Sequence, residues 1–224
     1  MDENTLQNRL ATLFQIILVA GVVGALWDQA WFDAFIITGI FLITMLPTVF
    51  AKRFDVVIPA AFQLLTILFV FASLFLGEVH GYYLKIWWWD IALHTVSGFL
   101  LGIVGFLLVY VMNETERVSL YMKPGFIAFF AFLFAIGVGV FWEFFEYTAD
   151  KVFNLAMQKP AFGDSTGLTD TMTDLMVDAL GAMIISLMGY RYLKRHPKQG
   201  LVQRWVRQFI HSNPRLFKKT HPRN

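Results

Sequence analysis

Apolar runs that approach or exceed the ~18 residues needed to cross a bilayer recur along almost the whole chain, at about 10–27, 32–50, 57–76, 88–112, 125–148 and 171–190. Little sequence is left between them for a separate soluble domain. They predict an all-α fold, a polytopic transmembrane helical bundle with about six spans over residues 1–190, followed by a basic cytoplasmic tail at 191–224. Composition agrees. Of the 224 residues 57% are hydrophobic and only 15% charged, well below the roughly one-quarter usual in soluble domains. The first run has no small-residue cleavage site followed by a polar chain, so it is expected to be retained as a span. With no cysteine, neither a disulfide framework nor thiolate ligation is available, and any metal must be held by oxygen or imidazole.

The distribution of basic residues orients the helices. With both termini cytoplasmic, the inner segments carry Arg9, Lys52, Arg53, Arg117, Lys123 and the ten basic residues from Arg191 onward, while the outer segments carry only Lys85, Lys151 and Lys159. Fifteen against three is the asymmetry expected of cytoplasmic loops, and an odd number of spans would spoil the alternation. Trp27, Trp31, Trp87, Trp88, Trp89 and Trp142 then fall near outer ends, where their rings suit the headgroup layer. Gly98, Gly102 and Gly105, Gly137 and Gly139, and Gly181 mark close helix packing in the later spans. In the tail, Leu201, Val202, Trp205, Val206, Phe209 and Ile210 form one helical stripe with Arg204, Arg207 and Gln208 elsewhere, which reads as an amphipathic interfacial helix. Its cations suit an anionic membrane surface better than nucleic acid, so the expected partners are membrane lipids and a second copy of the chain. There is no phosphate-cradling glycine loop, nucleophile elbow or zinc-finger spacing.

The chemistry is therefore expected in the ionisable residues placed at membrane depth, which are costly unless paired or functional. Asp90 and His94, four apart, share a face near the outer end of the fourth span. Glu143 and Glu146 share a face near the outer end of the fifth, and Asp170, Asp174 and Asp178 form a stripe only about 80° wide at the start of the sixth. Three successive spans thus bring their charges to one depth, and facing one another would hide them from lipid. Any one of them alone has a bland reading: Asp90 or Asp170 as a helix cap, His94 as a core histidine, Glu146 as a group reaching water. The joint placement is what points to a shared site.

Six carboxylates in such a site cannot all stay ionised unaided, because like charges at short range in a low dielectric repel. One imidazole is not enough to balance them, which leaves a divalent metal ion, protons or a water-filled vestibule. A metal is the favoured reading, with Mg, Mn, Ca or Zn all compatible with oxygen ligands and one His, and either one or two ions. In that reading Asp90, His94, Glu143, Asp170 and Asp174 hold metal, and Glu146 or Asp178 serves as general acid or base. The loop KPAFGDSTGLTD, with turns at Gly163 and Gly167, offers Asp164, Ser165 and Thr166 either to a substrate or as caps of the sixth helix. Glu78 and His80 at the end of the third span either join the vestibule or are simply exposed.

Together WDIALHTVSGFLLG, WEFFEY and DTMTDLMVDALGA make residues 85–190 resemble YjdF-like bacterial membrane proteins, relatives of the VanZ-like group of small multi-span inner-membrane proteins. The resemblance implies a bacterial cytoplasmic membrane location, an acid-and-His site on the later helices and a loose connection to envelope lipids, but no known reaction. GLTDTMTD also partly resembles the second half of the CDP-alcohol phosphotransferase motif, whose first half is absent. Three functions compete: metal-dependent chemistry on a lipid-linked or headgroup substrate at the outer leaflet, cation or proton-coupled transport, and a non-catalytic scaffold whose polar cluster fixes packing. The inner halves of the spans hold few polar residues to continue a transport path, Gln15 and Gln63 among them.

Overall fold

The computed structural model describes residues 3–114, 122–159, 164–195 and 201–217. Arg117, Gly163 and the last tail residues, singled out above, lie outside the described residues. The elements are α1 (Glu3–Trp27), α2 (Trp31–Thr44), α3 (Leu46–Phe54), α4 (Ala60–Val70, continued as a π-helix over Phe71–Val79), α5 (Tyr82–Lys85), α6 (Trp89–Glu114), α7 (Pro124–Phe153), α8 (Leu168–Arg195), α9 (Leu201–Ser212) and α10 (Pro214–Phe217). Six stretches among the described residues are long and apolar enough to cross a membrane: Thr5–Trp27, Trp31–Arg53, Ala60–Val79, Trp89–Met112, Pro124–Phe153 and Leu168–Lys194. The fold is all-α, and the chain is a multi-pass membrane protein.

Proline accounts for the two main departures from the expected spans. The second run is not one straight helix: Pro47 has no N–H to donate to the preceding turn, and the chain breaks at Met45 into α2 and α3. The third run is helical from Ala60 and not from residue 57, because Pro59 (φ −56°, ψ 144°) holds the backbone extended and biases the residue before it away from helix. This run continues past residue 76 as a π-helix to Val79 and turns at Gly81, whose φ of +68° suits a residue without Cβ.

Packing divides the helices into two compact units, residues Met1–Trp89 with His211–Asn213 and residues Asp90–Ile210 with Pro214–Asn224. The first has a core of Leu18, Ile37, Ile40, Phe71 and Phe75. Buried Thr44 donates to the carbonyl of Phe41 at 2.6 Å and accepts from Gln15 at 3.3 Å, so its hydroxyl is satisfied in an apolar medium. Asn213 is buried here too, accepting from the backbone N–H of Val57 at 2.6 Å and donating to its carbonyl at 2.8 Å. His80 approaches the carbonyl of Phe75 at 3.0 Å and is exposed, as is Glu78.

The second unit is built around α6, α7 and α8. Glycine lets the α6 and α8 backbones meet: a Cβ on Gly98 would overlap the backbone of Asp178, one on Gly181 the carbonyl of Thr95, and one on Gly102 the side chain of Ile185. Further along, Gly189 makes room for the ring of Phe106. A Cβ on Gly139 of α7 would lie 2.7 Å from a carboxylate oxygen of Asp178, so this helix too leaves space for that side chain. In α9, Trp205, Phe209 and Ile210 are half-buried and Arg207 is exposed, with the Trp205 ring edge-on to Phe99 at 6.3 Å between centroids. The side chains of Leu201, Val202, Arg204 and Val206 in the expected stripe lie outside the described residues.

The start of α8 is fixed from outside the helix. Asp164 accepts from the backbone N–H groups of Thr166 (2.8 Å) and Thr169 (3.0 Å) and from the Thr169 hydroxyl (2.7 Å), while Thr166 Oγ1 accepts from the N–H of Leu168 at 3.3 Å. Of the two roles open to Asp164 and Thr166, the structure gives capping. The donors, the Thr166 hydroxyl first among them, hold the Asp164 carboxyl below the usual carboxylate range. Gly167, at φ +80°, makes the turn into the helix.

Three outcomes are expected of thermal unfolding in detergent. Gly98→Ala lowers stability by about 1–3 kcal/mol, because backbone cannot give way as a flexible side chain can. Gly137→Ala, facing open space, is neutral or stabilising by up to about 1 kcal/mol. Asp164→Asn lowers the midpoint at neutral pH. A carboxyl held below its unfolded value stabilises above that value, so the gap between the two proteins closes as pH falls below about 4.

Candidate functional site

Along α7 the usual exposure pattern is inverted. Phe144 and Phe145 are 60% and 54% exposed, while Glu143 and Glu146 are 3% and 8% exposed. In a lipid setting this is the economical arrangement, since aromatic rings meet acyl chains and charges turn inward. On α8, Asp170, Asp174 and Asp178 are buried on one face at intervals of four, and on α6 His94 is buried with Asp90 partly so. The seven residues fall at the same end of the three helices, the start of α6, the end of α7 and the start of α8. All lie within the second unit.

His94 is the hub. Its Nδ1 stands 3.4 Å from Asp178 Oδ2, and its Nε2 stands 3.7 Å from Asp90 Oδ1 and 3.8 Å from Asp174 Oδ2. Asp178 is held in turn, with its Oδ1 2.5 Å from the Ser97 hydroxyl, which also lies 2.9 Å from the carbonyl of His94. His94 is thus flanked by carboxylates at both ring nitrogens, Asp178 at Nδ1 and Asp90 with Asp174 at Nε2. Asp90, His94 and Asp174 each offer one ligand atom, and the three lie within 4.8 Å of one another. Two donors about 2.1 Å from a common ion are roughly 3 to 4.2 Å apart. The separations from Nε2 to the two carboxylates fall in that range.

The other acids are placed differently. Glu146 accepts from the indole N–H of Trp142 at 2.9 Å, and Asp170 accepts from the backbone N–H of Lys159 at 2.7 Å. Glu143 has no hydrogen-bond partner at either carboxylate oxygen among the described residues, and Asp174 has none at Oδ2. Thr171 lies beside Glu143 without ordinary hydrogen-bond geometry; its hydroxyl accepts from Gln158 at 2.9 Å. Glu143, Glu146, Asp170 and Asp174 are all within electrostatic reach of both His94 and Asp90. A carboxyl group in such surroundings is tolerable only when protonated or paired with a counter-ion.

Residues 154–159 are strapped close to this end. Asp150 accepts from the N–H groups of Met157 (2.7 Å) and Gln158 (3.0 Å), and Gln158 and Lys159 reach Thr171 and Asp170 as described. Sequence reasoning missed Ser97, Thr171 and Asp150, and took Trp142 only as an interface anchor. Two of these had a signal: Ser97 lies three residues after His94 and Trp142 four before Glu146, each on the face of its partner.

A family described as "Predicted membrane protein (DUF2238)" matches residues 9–195. The chain is also similar to an uncharacterized protein of Thermotoga maritima, 30% identical over 145 residues that cover 65% of this chain and 70% of the relative. No solved structure matches. The matched residues include all seven members of the buried cluster, and the chain belongs to this DUF2238 family of predicted membrane proteins.

Proposed function

We propose that the chain binds a divalent cation between Asp90, His94 and Asp174 and uses it on an envelope-lipid or lipid-linked headgroup at the outer leaflet. The observation that carries the cation is the orientation of His94, whose Nε2 faces two carboxylates while Nδ1 is engaged by Asp178. A mixed imidazole and carboxylate set suits Mn or Zn better than Mg or Ca, which prefer oxygen alone. Such an ion supplies a Lewis acid for a headgroup oxygen or an activated water.

In this reading Asp178 is a positioning residue for His94, a change from the acid or base role first considered for it, because both its oxygens are committed to Ser97 and His94. Glu146 keeps a carboxylate oriented by Trp142 and is the group that takes or gives a proton. The position of the cluster near helix ends favours a headgroup over an acyl chain as substrate. The resemblance to YjdF-like proteins sits comfortably with the family assignment, while the link to VanZ-like proteins and envelope lipids rests on likeness of motifs alone.

Metal analysis of protein purified without chelator is expected to give stoichiometric divalent ion, lost in His94→Ala and in Asp174→Asn with helicity retained. Chelation lowers the thermal midpoint, and saturation at 100 times Kd restores about 2.7 kcal/mol. No ion bound by the native protein, even with Mn or Zn added, overturns the reading and leaves protonated acids in a transport or packing role. Asp178→Asn is expected to keep the ion with affinity about 10–100-fold weaker, as for other groups that orient a ligating histidine. With the ion in place, release of headgroup from lipid-linked substrates is the activity assay, and cation flux into proteoliposomes without such release favours transport.

A further inference from the structure

We infer that Glu143 anchors a second cation position beside the first, with Asp170 supplying a further carboxylate oxygen and Asp174 placed to bridge the two ions. The inference rests on the cation reading above and extends it to a two-ion centre.

Glu143 carries the argument. It is 3% exposed, and neither carboxylate oxygen has a hydrogen-bond partner among the described residues. The neighbouring acids already have part of their acceptor capacity occupied: Glu146 by Trp142, Asp170 by the Lys159 backbone, Asp178 by Ser97 and His94. Asp90 and Asp174 face His94. Glu143 alone among the buried acids of the cluster has neither oxygen in an ordinary hydrogen bond, with only the Thr171 hydroxyl standing beside it. Its electrostatic neighbours are His94, Asp178 and Asp90, so it points into the cluster and not toward lipid.

Charge leads to the same position. Asp90, Glu143, Glu146, Asp170, Asp174 and Asp178 can bring six negative charges into one buried region, and one divalent ion offsets two of them. A second ion at Glu143 offsets two more where hydrogen bonding is poorest. Asp174 stands 3.8 Å from His94 Nε2 and within electrostatic reach of Asp90, Asp170 and Glu143, and its Oδ2 makes no hydrogen bond. A carboxylate so placed bridges ions in two-metal sites, where the ions stand about 3.5–4 Å apart. Two ions at that spacing take a ligand with two oxygens on one centre, such as a phosphate or phosphate ester, of which a lipid headgroup is one source and free phosphate another.

The test uses the full chain in detergent, stripped with chelator, reloaded with MnCl2 alone and desalted. Bound Mn is counted by mass spectrometry, and its spectrum is recorded by low-temperature electron paramagnetic resonance. The expected result is two Mn per chain with the spectrum of a spin-coupled pair, and one uncoupled Mn in Glu143→Gln. One Mn in both proteins overturns the second position and leaves the first standing; two in both overturns the role of Glu143; none in native protein overturns the cation reading altogether. Should Glu143→Gln fail to fold, the count and coupling in native protein decide. Adding inorganic phosphate or vesicles of anionic phospholipid to the loaded protein then shows, by a change in the coupled spectrum, which source of phosphate the pair accepts.

Discussion

The close approach of the α6 and α8 backbones at Gly98 and Gly181 is the contact on which the rest of the cluster depends. It places the main chain of Asp178 against α6 one turn beyond His94 and sets the separation at which an aspartate side chain can reach an imidazole. A side chain at either glycine would push the helices apart. The same displacement would separate Asp174 from His94, one turn away on α8. Gly139 completes the arrangement from α7, leaving room for the Asp178 carboxylate where any larger residue would meet it. Small residues thus do in this unit what a hydrophobic core does in a soluble domain, with van der Waals packing holding polar groups at fixed distances.

Burial then gives those polar groups their chemical meaning. In water a carboxylate is indifferent to its neighbours beyond a few ångströms, whereas in an apolar interior each one must be answered by a donor, a proton or a cation. The protein answers some of them. Trp142 serves Glu146, the Lys159 backbone serves Asp170, and Ser97 with His94 serves Asp178. Asp174 and Glu143, among the most buried of the set, retain oxygens with no hydrogen bond. That unevenness separates this cluster from a structural polar network, in which complete satisfaction is what stabilises. Asp178, as buried as Asp174, is tied down while Asp174 and Glu143 keep oxygens that hydrogen bonding leaves open.

Much of this was legible in the amino-acid order, and the part that was not has physical reasons. Helical periodicity puts residues three and four apart on one face, so the acids of each span could be grouped, and the cost of charge in lipid said that the groups must turn inward. Apolar length located the helices to within a few residues, except where Pro47 and Pro59 acted on neighbouring backbone in ways that a hydropathy window does not sense. Periodicity carries no information about rotation between helices. Which carboxylate would meet which nitrogen of His94 therefore had to come from the packing, which sets Asp178 at Nδ1 and Asp90 and Asp174 at Nε2. Asp164 shows the same limit on a smaller scale: its spacing from the α8 start allowed either a ligand or a cap, and the local turn at Gly167 decided for the cap.

The position of the site along the helices bears on what it can do. All seven residues lie at one end of α6, α7 and α8, and residues 154–159 are fastened there by Asp150, Asp170 and Thr171. Beyond Asp178 the inward face of α8 continues as Gly181, Ala182, Ile185 and Ser186, with Ser186 the next buried polar side chain. A carrier needs successive sites weak enough to release what they bind, and one hydroxyl two turns past a dense set of carboxylates is a poor second station. On the reading proposed above, a cluster at one end of the helices, beside a fastened segment, takes a group that arrives from that side and leaves by it. Lipid headgroups and the phosphates that link them to larger molecules meet that description: they are charged, confined to the interface and held at a depth set by their own acyl chains.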